Sequence, residues 1–193
     1  AHGNEPSHHM AYLYNYVGKP WKTQRLVRQI MRELYTNKPD GLSGNEDCGQ
    51  MSAWYVLSSM GFYPVCPGTD KYVLGSPVFE SITIKLENSK TFKIICNNND
   101  RKNIYIQNAI YNGNPWTKSY ITHQMIMDGG ELILEMGSNP DKSWGQSKED
   151  RPFQKISDNQ ITPNPSFAYS SKTFEKEMDV EIVEFPGVEK SRF

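Results

Sequence analysis

The hydrophobic period of this chain changes once, at Pro64, and that change limits the fold more than any other feature. Before it, apolar residues recur every three or four positions, as helices packed on one face require. After it they alternate, as half-buried strands do. Helices followed by strands, rather than interleaved with them, make the chain α+β.

The helical part divides at its glycines and prolines. Pro6 to Tyr16 places Met10, Leu13, Tyr14 and Val17 on one helical face, and Gly18 ends it. Pro20 suits the first turn of a second helix, where its missing N–H has no partner to lose. That helix turns Trp21, Leu26, Val27, Ile30, Met31 and Leu34 inward, leaves Arg25, Arg28, Arg32 and Glu33 for water, and ends near Asn37, before Pro39. A third runs from about Gly49 to Met60, with Met51, Trp54, Tyr55 and Val56 on its buried face and Gly61 as its stop. Three such helices are too few for a domain of their own, so they are expected to complete a larger helical body.

The strands follow at roughly ten-residue spacing, which predicts an antiparallel sandwich-like region. Ser81 to Leu86 turns at Asn88-Ser89-Lys90 into Thr91 to Cys96. Asn103 to Tyr111 reaches Asn112-Gly113, a pair that tolerates positive φ and so favours a tight hairpin. Asp128-Gly129-Gly130 turns into Glu131 to Met136. Residues 145 to 165 are polar and proline-containing and read as a linker, and Asp179 to Phe185 reads as one more strand.

Composition excludes more than it assigns. The chain has 193 residues, with 21 basic against 22 acidic side chains, a balance that provides no cationic surface for nucleic-acid phosphates or anionic lipid. No run of about 18 apolar residues exists to span a bilayer. Three cysteines, Cys48, Cys66 and Cys96, do not make a disulfide scaffold. The opening Ala1-His2-Gly3-Asn4 has neither Met nor a leader, and reads as an interior cut in a longer protein. Motifs of the GxGxxG, P-loop, HExxH and GxSxG types are absent.

Two polar clusters stand where helices begin: His2-Gly3-Asn4-Glu5-Pro6-Ser7-His8-His9, and Gly44-Asn45-Glu46-Asp47-Cys48-Gly49-Gln50. Carboxylates there serve as general bases, as ligands for a hard cation such as calcium, or simply as helix caps, the ordinary role of Asp before a helix. Adjacent histidines point about 100° apart on a helix, so His8 and His9 are expected to pack or hydrogen-bond rather than hold zinc together. Trp54 and Tyr55 could stack on a sugar, but at helical spacing they belong in a core.

The string Gly44 to Trp54, continuing to Val65, resembles the C-terminal catalytic-domain motif of family 92 glycoside hydrolases, which are calcium-dependent exo-α-mannosidases. Gly3-Asn4-Glu5-Pro6-Ser7-His8-His9 is similar to a second family motif. Tyr12 to Tyr16, Gly75-Ser76-Pro77-Val78-Phe79, Tyr105-Ile106-Gln107, Asn112-Gly113 and Glu135 to Pro140 continue the likeness over residues 1 to 145.

The resemblance implies a C-terminal fragment. Residues 1 to 63 would supply the last helices of an (α/α)6 barrel, and 64 to 145 a β-rich region packed on it. Residues 146 to 193 would form a linker and terminal strand, the start of an appended sandwich module. It further implies inverting removal of terminal α-linked mannose, α-1,2 first among the linkages. Asp47 would be the general base, Asn45 would orient the water, Asn4 and Glu5 would line the mannose and calcium site, and Glu46 would face substrate. The general acid lies upstream in such enzymes, so the isolated chain is expected to be inactive. Its partners would be mannose-containing glycans and the rest of the enzyme, at the surface of a bacterium, in its periplasm or secreted. The rival reading is a non-catalytic carbohydrate-binding or structural module that retains the fold. A related phosphorylase would need a phosphate pocket, and neither motif cluster is basic.

Overall fold

A computed structural model describes residues 2–153 and, beyond them, 167, 168, 173, 175–181 and 183. The chain divides into two compact units, Ala1–Gln154 and Lys155–Phe193. In the second, the Ala168 N–H donates to the Glu181 carbonyl at 2.9 Å. Of the strand expected over Asp179 to Phe185, the residues Asp179–Glu181 and Val183 carry none, and Ile182, Glu184 and Phe185 lie outside the described residues.

The first unit is mixed α and β, as the change of period requires. Its first helix is shorter than expected. Single 3₁₀ turns at Glu5–Ser7 and Met10–Tyr12 precede α1, Leu13–Tyr16. The buried side chains are Ala11, Tyr12 and Asn15, while Met10, Leu13 and Val17 stay 53%, 44% and 57% exposed. The apolar face read from the sequence therefore looks outward, because the polar Asn15 is needed inside. Its Nδ2 donates to the carbonyls of Leu74 and Ser119 at 2.9 and 3.1 Å, stitching helix to sheet. Helix α2, Pro20–Glu33, buries Val27 and Met31 together with Thr23 and Gln24. Gln24 Oε1 accepts from the Ile106 N–H at 3.3 Å. Helix α3, Gln50–Met60, stops at Gly61 in the left-handed region, φ 99°, which glycine alone adopts at no steric cost.

A three-stranded sheet joins the helices to the rest: β1, Phe62–Tyr63, pairs with β2, Lys71–Leu74, which pairs with β7, Tyr120–Thr122. The larger sheet holds β3 (Ser81–Lys85), β4 (Thr91–Asn97), β5 (Tyr105–Tyr111), β6 (Asn114–Pro115) and β8 (Gly130–Gly137), in the order β3-β4-β8-β5-β6. Helix α4, His123–Asp128, is capped by Thr122, whose Oγ1 accepts from the Met125 N–H at 3.3 Å, and delivers the chain into β8. The sheet is mixed, not antiparallel throughout. After the Asn112-Gly113 hairpin the chain returns to insert β8 between β4 and β5, antiparallel to β5 but parallel to β4.

One face of this sheet forms the core. Phe92, Ile94 and Cys96 of β4 alternate inward, as do Leu132, Leu134 and Met136 of β8. In β5 the buried residues are Ile106 and Ala109, three apart, because the register shifts between Ile106 and Asn108. Residues 145 to 153, linker-like in composition, are fastened to this unit. The Ser119 N–H donates to Asp150 O at 2.8 Å, Arg151 Nη2 to Gln146 O at 2.8 Å, and Pro152 is buried.

Candidate active site

The two polar clusters meet backbone against backbone. A Cβ placed on Gly44 would lie 2.1 Å from Gly3 O, and one on Gly3 would lie 2.6 Å from Ser43 O. Only glycine permits that crossing, which holds the two loops together although 41 positions separate their glycines. Both clusters contain Gly-Asn-Glu, at residues 3–5 and 44–46.

Beyond the crossing, Asp47, Cys48 and Gly49 adopt φ of 43°, 58° and 87°. Three successive left-handed residues, two of them not glycine, store backbone strain, and such strain gathers at functional sites. The turn leaves Asp47 exposed. Helix α3 takes no side-chain cap from its N-cap residue Gly49. Glu46 does the capping from further back: its Oε1 accepts from the Ser52 N–H at 2.9 Å and its Oε2 from the Ser52 hydroxyl at 2.7 Å. Of the two neighbouring acids, Glu46 is thus committed to the helix end and Asp47 is not.

Asp47 faces the other motif. The Glu5 carboxyl raises the Asp47 pKa above the ordinary aspartate value, first by hydrogen bonding to its protonated form and then by repulsion between like charges. The same hydrogen bond first, then one from the backbone, lowers Glu5. Glu5 is half-buried, and its Oε1 is shielded from water with no N–H or O–H donor among the described residues. Asn4 and Asn45 are exposed beside these acids. Asn4 places no side-chain cap on the turn that follows it, and its carbonyl accepts from the Ser7 N–H at 3.0 Å.

An aromatic floor supports the loops. Trp54 is fully buried, stacked on Tyr35 with centroids 5.9 Å apart and edge-on to His2 at 4.2 Å, so it belongs to the core and offers no sugar platform. Its indole N–H donates to His8 O at 3.0 Å. His8 is buried, and Gln50 Nε2 approaches its Nδ1 at 3.2 Å while its own Nε2 faces His2 O at 3.2 Å. Nδ1 therefore accepts and Nε2 carries the proton. His2 Nε2 lies 2.7 Å from the Tyr35 hydroxyl, which itself donates to Met51 O at 3.3 Å, so His2 donates to Tyr35. Burial lowers both imidazoles, His2 to about 4, and they are neutral packing elements at pH 7. His9 is exposed, so of the expected pair only His8 is packed. Gln50 Nε2 also donates to the Tyr63 hydroxyl at 2.9 Å, and Tyr35 and Tyr63, which complete the floor, lie outside the two polar clusters of the sequence.

Residues 1–138 match the glycosyl hydrolase family 92 catalytic domain. A solved family 92 α-mannosidase of Bacteroides thetaiotaomicron, in complex with mannoimidazole, is 46% identical with a TM-score of 0.77; the alignment covers 81% of this chain and 20% of that one. An inverting family 92 mannosidase of the same organism is also 46% identical, with a TM-score of 0.76, over 79% of this chain and 21% of its own. An uncharacterized secreted glycosidase of Arthroderma benhamiae is 35% identical over 153 residues, 78% of this chain and 20% of that protein. The chain thus spans about a fifth of the length of these relatives. It belongs to glycoside hydrolase family 92.

Proposed function

We propose that this chain supplies the water-activating half of an inverting, calcium-dependent α-mannosidase, with Asp47 as general base. One observation carries the reading: Asp47 is exposed, strained into place where the two loops cross, and relieved of any capping duty by Glu46. Inversion requires one carboxylic acid on the leaving oxygen and a carboxylate on the opposite face, about 6.5–9.5 Å away, to take a proton from water. Glu5 raises the affinity of Asp47 for that proton, and a base is more effective as its pKa approaches the working pH. Asn45, exposed two residues before Asp47, would orient the water. Glu46, tied to Ser52, supports the turn and reaches substrate only if those bonds open.

The donors beside Asp47 fit calcium. Glu5 Oε1 is a shielded acceptor without a donor, which a cation would satisfy, and Asn4 adds an amide oxygen. Among the described residues no group of three or more His, Cys, Asp and Glu side chains converges on a metal position. Amide and carbonyl oxygens would have to complete the shell, as suits a hard cation and not zinc. When bound, such an ion contacts sugar hydroxyls and favours a distorted ring.

The mannosidases named above support mannose as the sugar, and the secreted relative supports an extracytoplasmic location. Among the described residues no helix is long and apolar enough to cross a membrane. In this reading residues 1 to 63 are the last helices of an (α/α)6 barrel, 64 to 145 pack on it, and the general acid comes from the rest of the enzyme. The linkage assigned first is α-1,2.

The test is a chimera in which this chain replaces the matched region of the Bacteroides mannosidase solved with mannoimidazole. Asp47→Asn should lower mannoside turnover by about 10²–10⁴-fold. Asn tolerates positive φ, so the fold should survive. Glu46→Gln should cost stability first. Near-unchanged turnover in Asp47→Asn refutes the assignment, and turnover by the 193-residue chain alone refutes the division of labour.

A further inference from the structure

A groove of about 720 Å³ runs along α2 and shares no residue with the two loops. Its floor is apolar, made by Met31, Val78 and Ile104, with Tyr55 from α3 at one side. Its rim carries Arg25, Arg28, Arg32 and Arg101, and no acidic residue lines it. Among the described residues, Arg25, Arg28 and Arg101 have no carboxylate within 4.0 Å, and Arg32 pairs only with its exposed neighbour Glu33.

Arg28 is not the solvent-facing charge that helical periodicity implies. It is half-buried, its Nε donates to Ser76 Oγ at 3.1 Å, and its Nη2 donates to Asn99 Oδ1. Both acceptors are neutral. Asp100, the nearby acid, spends its oxygens on the N–H groups of Lys102 and Asn103, each at 2.6 Å, and on the Asn103 amide at 3.1 Å. Asp100 stands near enough to favour the charged guanidinium without pairing with it, and the planar fork remains suited to a carboxylate. Val78 and its neighbour Phe79 are 38% and 51% exposed, so apolar surface also awaits cover.

We propose that this groove seats an acidic, amphipathic segment from the part of the family 92 catalytic polypeptide that lies outside the matched region, its apolar side on Met31, Val78 and Ile104 and its carboxylates on the arginines. The inference rests on the reading of the chain as part of a larger mannosidase. Two observations select this occupant: about four-fifths of each relative lies outside the match, and the groove pairs an apolar floor with a rim of four arginines and no acid. A free anion would answer the charge but leave the floor bare.

The experiment maps arginine reactivity toward phenylglyoxal by mass spectrometry, in the 193-residue chain and in the Bacteroides chimera, with Arg151 as the internal reference. Arg25, Arg32 and Arg101 should react readily in the chain alone and be protected about tenfold or more in the chimera, the factor that a 1.4 kcal/mol closed state provides. Reversal of all three (Arg25→Glu, Arg32→Glu, Arg101→Glu), which spares the half-buried Arg28, should lower the melting temperature of the chimera and leave the melting of the chain alone nearly unchanged. Equal reactivity in both proteins overturns the proposal, as does equal melting of the reversed and parent chimeras. Protection of the chain alone by excess inorganic phosphate, or by raising its own concentration, would assign the groove to a free anion or to a second copy and also overturn it. A chimera with protected arginines that hydrolyses no mannoside would refute the mannosidase reading and leave the groove assignment standing.

Discussion

The five-stranded sheet and the crossed loops obey opposite rules. In the sheet, side chains alternate inward and outward, Phe92, Leu132 and Leu134 are completely buried, and each strand satisfies its neighbours. At the loops, Asp47 and Cys48 sit at positive φ, two carboxyls face one another, and a shielded oxygen of Glu5 has no donor. The sheet is built for stability. The loops hold an arrangement that stability alone would not select, and they can do so because an aromatic floor and a glycine crossing fix them from below. The difference marks the crossed loops as the candidate site.

Damage to the sheet should therefore cost stability and spare the chemistry of molecules that remain folded. Phe92→Ala removes a fully buried ring and should destabilise the chain by about 3–5 kcal/mol, measured by denaturant unfolding. In the chimera, turnover per folded molecule should stay near that of the parent. A large fall in that ratio would blur the division between the two regions.

Gly44→Ala attacks the loops instead. The new methyl group would overlap Gly3 O, and forcing the strands of the crossing apart should cost about 1–3 kcal/mol. Here turnover should fall far more than stability, because separating the loops separates Glu5 from Asp47. Equal losses would mean that the crossing merely holds the fold.

Acid probes the floor between them. His2 is lowered to about 4 from 6.5, and His8 is lowered too, mainly by burial. Between pH 6.5 and 4 the unfolded chain takes up protons that the native floor refuses, so stability is complete above 6.5 and is lost as pH falls through that window. The melting temperature should drop over this range, and His8→Gln should flatten the drop. A melting temperature indifferent to pH from 6.5 to 4 would contradict the buried, neutral assignment.

Much of the sheet is written locally in the sequence. The alternation of Ser81–Lys85 and Thr91–Asn97, the Asn112-Gly113 hairpin and the Gly61 stop depend on near neighbours, and all of them form. The parallel pairing of β4 with β8 depends on where a distant segment returns, which no local pattern records. The outward face of α1 is a similar case: periodicity marks Met10, Leu13 and Val17 as apolar but does not say what covers them. At the site, the residue types were legible and their division of labour was not. Glu46 and Asp47 are equivalent as candidate caps in sequence, and only the run of positive φ turns one toward Ser52 and the other toward Glu5. Arg28 misleads for the same reason, since Asn99 and Ser76 approach it from remote loops.

The most direct measurement replaces the Asp47 carboxyl with empty space in the chimera. Asp47→Gly fits the left-handed turn without strain, and added azide can occupy the vacated position and attack the anomeric carbon of an aryl α-mannoside itself. If Asp47 activates water on that face, the variant alone should be nearly inactive, and azide should restore release of the phenolate with β-mannosyl azide as the sugar product. Near-parental hydrolysis without azide, or a sugar azide of retained configuration, would contradict the account.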